Sequence, residues 1–253
     1  GRLIGLDVDP MELPVTEARL RTLGYSAEEF LALRSNFAGL PKGLASHGIT
    51  GADCILADLG VSSMQIDNPA RGFSIKHGGP VDMRMNPTRG ISAGELVERC
   101  APEELAAMFA ENDDPRAGEI ARAIAGRRFG STVELVRAIE QASARSDPDE
   151  QGLAVRGVFQ SLRVAVNEEF TALETFLRVL PSCLTPNGRV AVLSFHSGED
   201  RRVKKAFQAG LRSGDFSAIA DAVVRASPAE RSRNPRATSA KLRWARKREM
   251  ALT

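Results

Sequence analysis

A chain of 253 residues, 43% hydrophobic and 26% charged, has the balance of a soluble globular protein with room for one large domain or two small ones, which excludes a disordered or fibrous polymer. No apolar stretch approaches the roughly 20 residues of a membrane span, and no charged-then-apolar leader opens the sequence, so no membrane is expected and the chain reads as cytoplasmic. Net charge is +2; the three cysteines, Cys54, Cys100 and Cys183, form no C-x-x-C pair, so no metal, disulfide framework or redox dithiol is expected.

The first element, "RLIGLDVD", is a short apolar run ending in Asp7 and Asp9. Pro10 and a helical stretch to about Leu23 follow, giving the β-then-α alternation of a parallel sheet. "DCILAD" is a second strand, which stops at Asp58 and opens into about a dozen residues rich in Gly, Ser, Asn and Pro. From Ser92 to Leu180 helical periods run almost throughout, broken at "CAPEE", "ENDDPR", "FGST" and "SARSDPDEQG". The spacing of Val158, Leu162, Val166, Leu173, Phe176 and Leu180 predicts one long helix that returns the chain to the sheet. A third strand, "GRVAVLSF", follows the turn "TPNG" and precedes the charged helix "GEDRRVKKAFQAGLR". Residues 231–248 carry eight Lys/Arg and no acid, a cluster suited to a polyanion or, more blandly, a solvated basic tail. Within it, "SAKLRWARKR" sets Leu242 and Trp244 on one face and Arg243 on the other, as in an edge strand. The expected architecture is therefore an α/β core, residues 1–87 and 158–253, carrying an all-helical insertion over 88–157.

In open α/β sheets, ligands bind beyond the carboxyl ends of the strands, and here two strands end on acids. Asp7 is placed to accept hydrogen bonds from the two hydroxyls of a ribose, which both a nicotinamide dinucleotide and S-adenosylmethionine offer; Asp9 equally suits a helix cap. Asp58 suits methyl transfer to an exocyclic base nitrogen. The lone pair of such an amine is delocalised into the ring until an acceptor draws on its N–H, and a strand ending in an acid and a turn supplies acceptors. Alone, Asp58 is also an ordinary strand-end turn former.

"ILADLGVSSMQIDNPARGFSI", "GPVDMRM", "VFQSLRVAVNEE", "GRVAVLSFHSGEDRRVK" and "NPRATSAKLR", in this order, resemble the bacterial 16S rRNA cytosine-N4 methyltransferases, the RsmH or MraW family. The resemblance implies a Rossmann-like methyltransferase core with a helical insertion that helps recognise substrate. It implies S-adenosylmethionine as cofactor, the small-subunit rRNA or the 30S subunit as partner, and N4-methylation of a decoding-centre cytidine. Its motifs assign cofactor contacts to Asp7, Phe37, Asp58 and Gln65, with Asp58 also the candidate catalytic group. Arg84, His196 and Arg243 become candidates for substrate binding. Taken without the family, Phe37 is a core aromatic, Gln65 a loop residue, Arg84 the partner of Asp82, and His196 a satisfied structural histidine. The family's glycine-rich G-G-H segment belongs ahead of "GRLIGLD", so half of the methionine-binding floor is expected upstream of Gly1, and the chain as written is expected to bind cofactor weakly. Gly198 stands where the family usually has Leu, Met64 where it has Pro, and "ENDDPRAGEIA" where it has an acidic Gly-Glu-Glu motif. Two other readings share parts of this pattern: an RNA-binding homologue without turnover, and a nicotinamide-dependent dehydrogenase.

Overall fold

The computed structural model describes residues 1–111, 115–144 and 147–249, which fall into two compact units: Gly1–Gly60 with Phe170–Thr253, and Val61–Glu169. Among the described residues no helix is long and apolar enough to cross a membrane.

In the first unit, strand β1 (Leu3–Asp7) pairs in parallel with β2 (Phe30–Arg34), in a register that sets Asp7 beside Arg34. Helix α1 (Glu12–Thr22) joins them. Asp9 is fully buried, and its Oδ1 accepts the backbone N–H groups of Met11 at 2.8 Å and Glu12 at 3.4 Å, so this acid starts the helix. A short helix α2 (Leu40–Ala45) leads to β3 (Ala52–Asp58). Beyond α9 (Glu169–Val179), the chain forms β4 (Leu184–Ser194), α10 (Ser197–Ser213), β5 (Phe216–Ile219), β6 (Val224–Arg225), α11 (Pro228–Arg233) and β7 (Lys241–Lys247). β3 and β4 are parallel; β7 runs antiparallel beside β4, with β5 and β6 on its other side. The C-terminal strand is thus interior, against the edge position expected. Its alternation holds: Ala245 is fully buried with Ile55, Val190 and Val192 against Leu173 and Phe176 of α9 and Val203 and Phe207 of α10, which leaves Leu242, Trp244 and Arg246 to the opposite face.

The second unit is helical. α3 (Ser63–Asp67) is followed by a long loop and then by α4 (Ala93–Arg99), α5 (Pro102–Ala110), α6 (Ala117–Ile124), α7 (Thr132–Ala142) and α8 (Pro148–Val166). Leu105, Phe109, Ile120, Ile124, Leu135, Ile139 and Leu162 form its core, each 2% exposed or less. The unit is wider than the 88–157 insertion expected from periodicity, because the loop before α4 is built into it. Met83 is fully buried in that core, and Arg71 donates to the carbonyls of Arg84 at 3.1 Å and Met85 at 2.8 Å. A side chain on Gly72, which has φ +73°, would collide with the Pro80 carbonyl, so only glycine lets the loop fold back this tightly. The single helix expected over 158–180 is two. α8 stops at Asn167, whose side chain accepts Met85 N–H and donates to the Met83 carbonyl, both at 2.7 Å, and Glu168 turns the chain at φ +50° before α9 begins.

Candidate active site

Asp7 stands exposed at the end of β1, with Oδ1 fixed by the Asp9 N–H at 2.8 Å. Beside it the Ser35 N–H bonds the Asp7 carbonyl at 3.0 Å, which carries the pairing past the end of β2. The Asn36 side chain then caps a short 3-10 turn that opens on Phe37. Phe37 is half-buried and meets Phe176 edge to face, with centroids 5.5 Å apart and planes at 84°.

Asp58 ends β3, and the Leu59 N–H bonds the Leu193 carbonyl at 2.9 Å, so the first turn residue is still held by β4. Burial around the carboxyl, and then the nearby Glu199 carboxylate, push Asp58 above the usual carboxylate range. Glu199 lies in the first turn of α10, its side chain 3% exposed. Its Oε2 accepts the Phe195 N–H at 3.0 Å, and its Oε1 lies 3.3 Å from Nε2 of His196, within electrostatic reach but out of line for a hydrogen bond. The His196 side chain is 9% exposed, and neither ring nitrogen has a hydrogen-bond partner. Its ring tilts against Phe170, centroids 5.7 Å apart, while the Arg202 guanidinium lies 3.6 Å over that same Phe170 ring. A Cβ on Gly198 would stand 2.7 Å from the tip of Phe170, so a larger residue in "FHSGEDR" would have to displace that ring.

Residues 1–248 match the MraW methylase family. The chain is 44% identical to ribosomal RNA small subunit methyltransferase H 1 of Lachnoclostridium phytofermentans, over 97% of this chain and 69% of that protein. It is 45% identical to ribosomal RNA small subunit methyltransferase H 2 of Alkaliphilus metalliredigens, over 97% and 72%, and 40% identical to ribosomal RNA small subunit methyltransferase H of Halorhodospira halophila, over 97% and 80%. The chain belongs to the MraW methylase family. It is an enzyme of the methyltransferase class, and its α/β unit with strand-end acids is the Rossmann-like core of that family.

In this MraW methylase, Asp7, Phe37, Asp58, His196 and Arg243 lie in the α/β unit, Gln65 and Arg84 in the helical one. Gln65 is 5% exposed, and its Oε1 accepts the Ser62 N–H at 2.8 Å while Ser62 Oγ accepts the Gln65 N–H at 3.2 Å. It closes a capping box on α3 and is no loop surface residue. Arg84 is held two-pronged by Asp82, at 2.9 and 2.7 Å, and donates to the Gly90 carbonyl at 3.1 Å. Arg243 is held the same way by Asp200 of α10, at 2.7 and 3.2 Å. Arg246 donates to Asn187 at 2.7 Å and Lys247 to the Leu184 carbonyl at 2.8 Å. Arg243, Arg246 and Lys247 are thus bonded within the protein, while Arg231 and Arg233 of α11 stand exposed. Sequence reasoning passed over Glu199; an acid three residues after the helix N-cap was its signal. The acidic-motif departure at 111–121 falls partly outside the described residues.

Proposed function

We propose that this methylase transfers a methyl group from S-adenosylmethionine to the N4 of a cytidine in small-subunit rRNA, acting in the cytoplasm on the subunit or its assembly precursor. The observation that carries the chemistry is Asp58, an acid at the end of a parallel strand with a second carboxylate, Glu199, near enough to disfavour its charge. An acid at a strand end with a second carboxylate, from the first turn of α10, in electrostatic range suits a positively charged ligand, and a sulfonium is one. The relatives, ribosomal RNA small subunit methyltransferases by name, supply the rRNA class.

Bound there, S-adenosylmethionine supplies an electrophilic methyl group on sulfur. Asp7 would hold the ribose hydroxyls and Phe37 would offer its ring to the adenine. Asp58 and the backbone carbonyls of residues 59–62 accept an N–H of the exocyclic amine, which returns lone-pair density to N4. Catalysis at an exocyclic amine requires the base to leave its stack, so the target cytosine enters flipped. Arg231 and Arg233 hold phosphates.

The test is incubation of the full-length protein with small ribosomal subunits and methyl-labelled cofactor, followed by mass spectrometry of the released nucleosides. N4-methylcytidine supports the proposal. Tight subunit binding with no labelled nucleoside would leave the RNA-binding reading, and calorimetric binding of a nicotinamide dinucleotide in place of S-adenosylmethionine would leave the dehydrogenase. In calorimetry, Asp7→Ala should weaken cofactor binding by about 1.5–3 kcal/mol, the worth of a charge-assisted hydrogen bond.

A further inference from the structure

We propose that the solvent face of α10 is a second seat for the phosphate backbone of small-subunit rRNA, separate from the arginines of α11. This rests on the rRNA reading above.

α10 turns Val203, Phe207 and Gly210 inward, where they are buried. At about 100° per residue, Arg201, Lys204, Lys205, Gln208 and Arg212 fall in one stripe on the opposite side, and each of them is exposed. The stripe holds four cations and no acid. Both acids of the helix are withdrawn from it: Glu199 is buried with Oε2 on the Phe195 N–H, and Asp200 is held by Arg243. Arg202 lies off the stripe, stacked on Phe170 and paired with Glu174 at 2.9 Å. Just past the helix, Asp215 accepts the Ser213 hydroxyl at 2.6 Å. Lys204, Lys205 and Arg212 have no ion-pair partner among the described residues.

Solvation alone does not ask for such a face. α1 and α4 balance their surfaces with acid–base pairs four residues apart, Glu17 with Arg21 and Glu95 with Arg99. α10 instead sets like charges three and four apart, Lys204 and Lys205 following Arg201, a spacing that weakens a helix. In a chain whose 34 bases are nearly matched by 32 acids, so one-sided a face fits a polyanion that neutralises it.

The placement suits RNA. α10 starts just past the carboxyl end of β4, on the side of the sheet where β3 ends in Asp58. β4 and β5 both run antiparallel to β7, so α10, which joins them, carries the stripe back from that end over about 16 Å between Arg201 and Arg212. A row of cations of that length meets successive phosphates of one strand and reads no base. α10 exposes a single large apolar side chain, Leu211, too little to enter a lipid surface.

The test uses the full-length protein and N-hydroxysuccinimidyl acetate, which acetylates exposed lysines. Mass spectrometry reads Lys204 and Lys205 with and without excess small ribosomal subunits. Subunits should slow acetylation of both lysines several-fold. A variant carrying Lys204→Gln, Lys205→Gln and Arg212→Gln should bind subunits more weakly, and its plot of log affinity against log salt should flatten by up to about 0.7–0.9 per lost phosphate contact. Its melting temperature should be no lower than the parent's, because glutamine keeps the helix propensity and the like charges are gone. Lysine reactivity unchanged by subunits, or a salt slope equal to the parent's, overturns the inference. Protection by anionic lipid vesicles without protection by subunits overturns it as well. Protection by subunits in a protein that forms no N4-methylcytidine would uphold this surface and overturn only the methyl transfer proposed above.

Discussion

Arg243 and Asp200 meet through two hydrogen bonds, Nε to Oδ1 at 2.7 Å and Nη2 to Oδ2 at 3.2 Å, and so fasten β7 to the first turn of α10. Both side chains are mostly buried, 12% and 16% exposed. Removing one partner of such a pair leaves a charge that water reaches poorly. Arg243→Ala should therefore cost about 3 kcal/mol in urea unfolding, toward the low end for a buried pair. Measured well below the unfolding transition, its RNA affinity should change little, because the guanidinium already has its carboxylate.

The exposed arginines of α11 should behave in the opposite way. Arg231 and Arg233 leave the fold nearly as stable when replaced, since neither side chain is buried. Changing both to Ser should weaken binding to small subunits and flatten the plot of log affinity against log salt by up to about 0.7–0.9 per lost phosphate contact. An unchanged slope would show α11 to be an ordinary solvated helix.

The break between α8 and α9 offers a pair of stability tests. Asn167→Ala strands the Met85 N–H and the Met83 carbonyl in a partly buried site, which should cost about 1–3 kcal/mol. Glu168 is exposed and sits at φ +50°, a conformation that L residues adopt at a cost. Glu168→Gly should therefore raise stability, because relief of a left-handed conformation, about 1–2 kcal/mol, exceeds the roughly 0.4–1 kcal/mol that glycine adds to the freedom of the unfolded chain. Thermal unfolding of the two variants should move in opposite directions.

These residues also mark where the sequence was readable. Apolar runs ending in acids placed β1, β3 and their carboxylates, because a strand's end and its turn chemistry are local properties. β2 was missed: "FLALR" is five residues long and has no strong turn residues of its own. The 158–180 periodicity was read as one helix because hydrophobic spacing survives across a two-residue break, and only the tertiary demand of Met83 and Met85 on Asn167 shows it. The partners of the charges were hidden for the same reason. A run of Lys/Arg says nothing of the partners that folding brings from elsewhere, and Asp200 lies 43 positions before Arg243. The pairing of Glu199 with Asp58 likewise joins separate strand ends and has no local signature.

That pairing gives the last prediction. Asp58 is pushed above the usual carboxylate range by burial and by Glu199, so its charged form is held less well in the folded protein than in the unfolded chain. The sign follows from linkage: a raised acid costs stability at pH values above its folded pKa, and the cost disappears below its unfolded pKa. Asp58→Asn removes the charge and should be more stable than the parent at neutral pH. The difference in melting temperature should shrink as the pH falls through the raised folded value and into the ordinary carboxylate range. A gain that persists unchanged in acid would mean that packing, and not charge, is responsible. The same variant divides the two duties proposed for this residue. If Asp58 orients the amine, the single-turnover rate at saturating cofactor falls by about 100-fold, as misplacement of a reacting group does. If it serves the cofactor alone, affinity for S-adenosylmethionine falls while that rate stays at the parent's value. We expect the rate to fall, because a stable neutral side chain at position 58 draws less on the amine N–H than a carboxylate does.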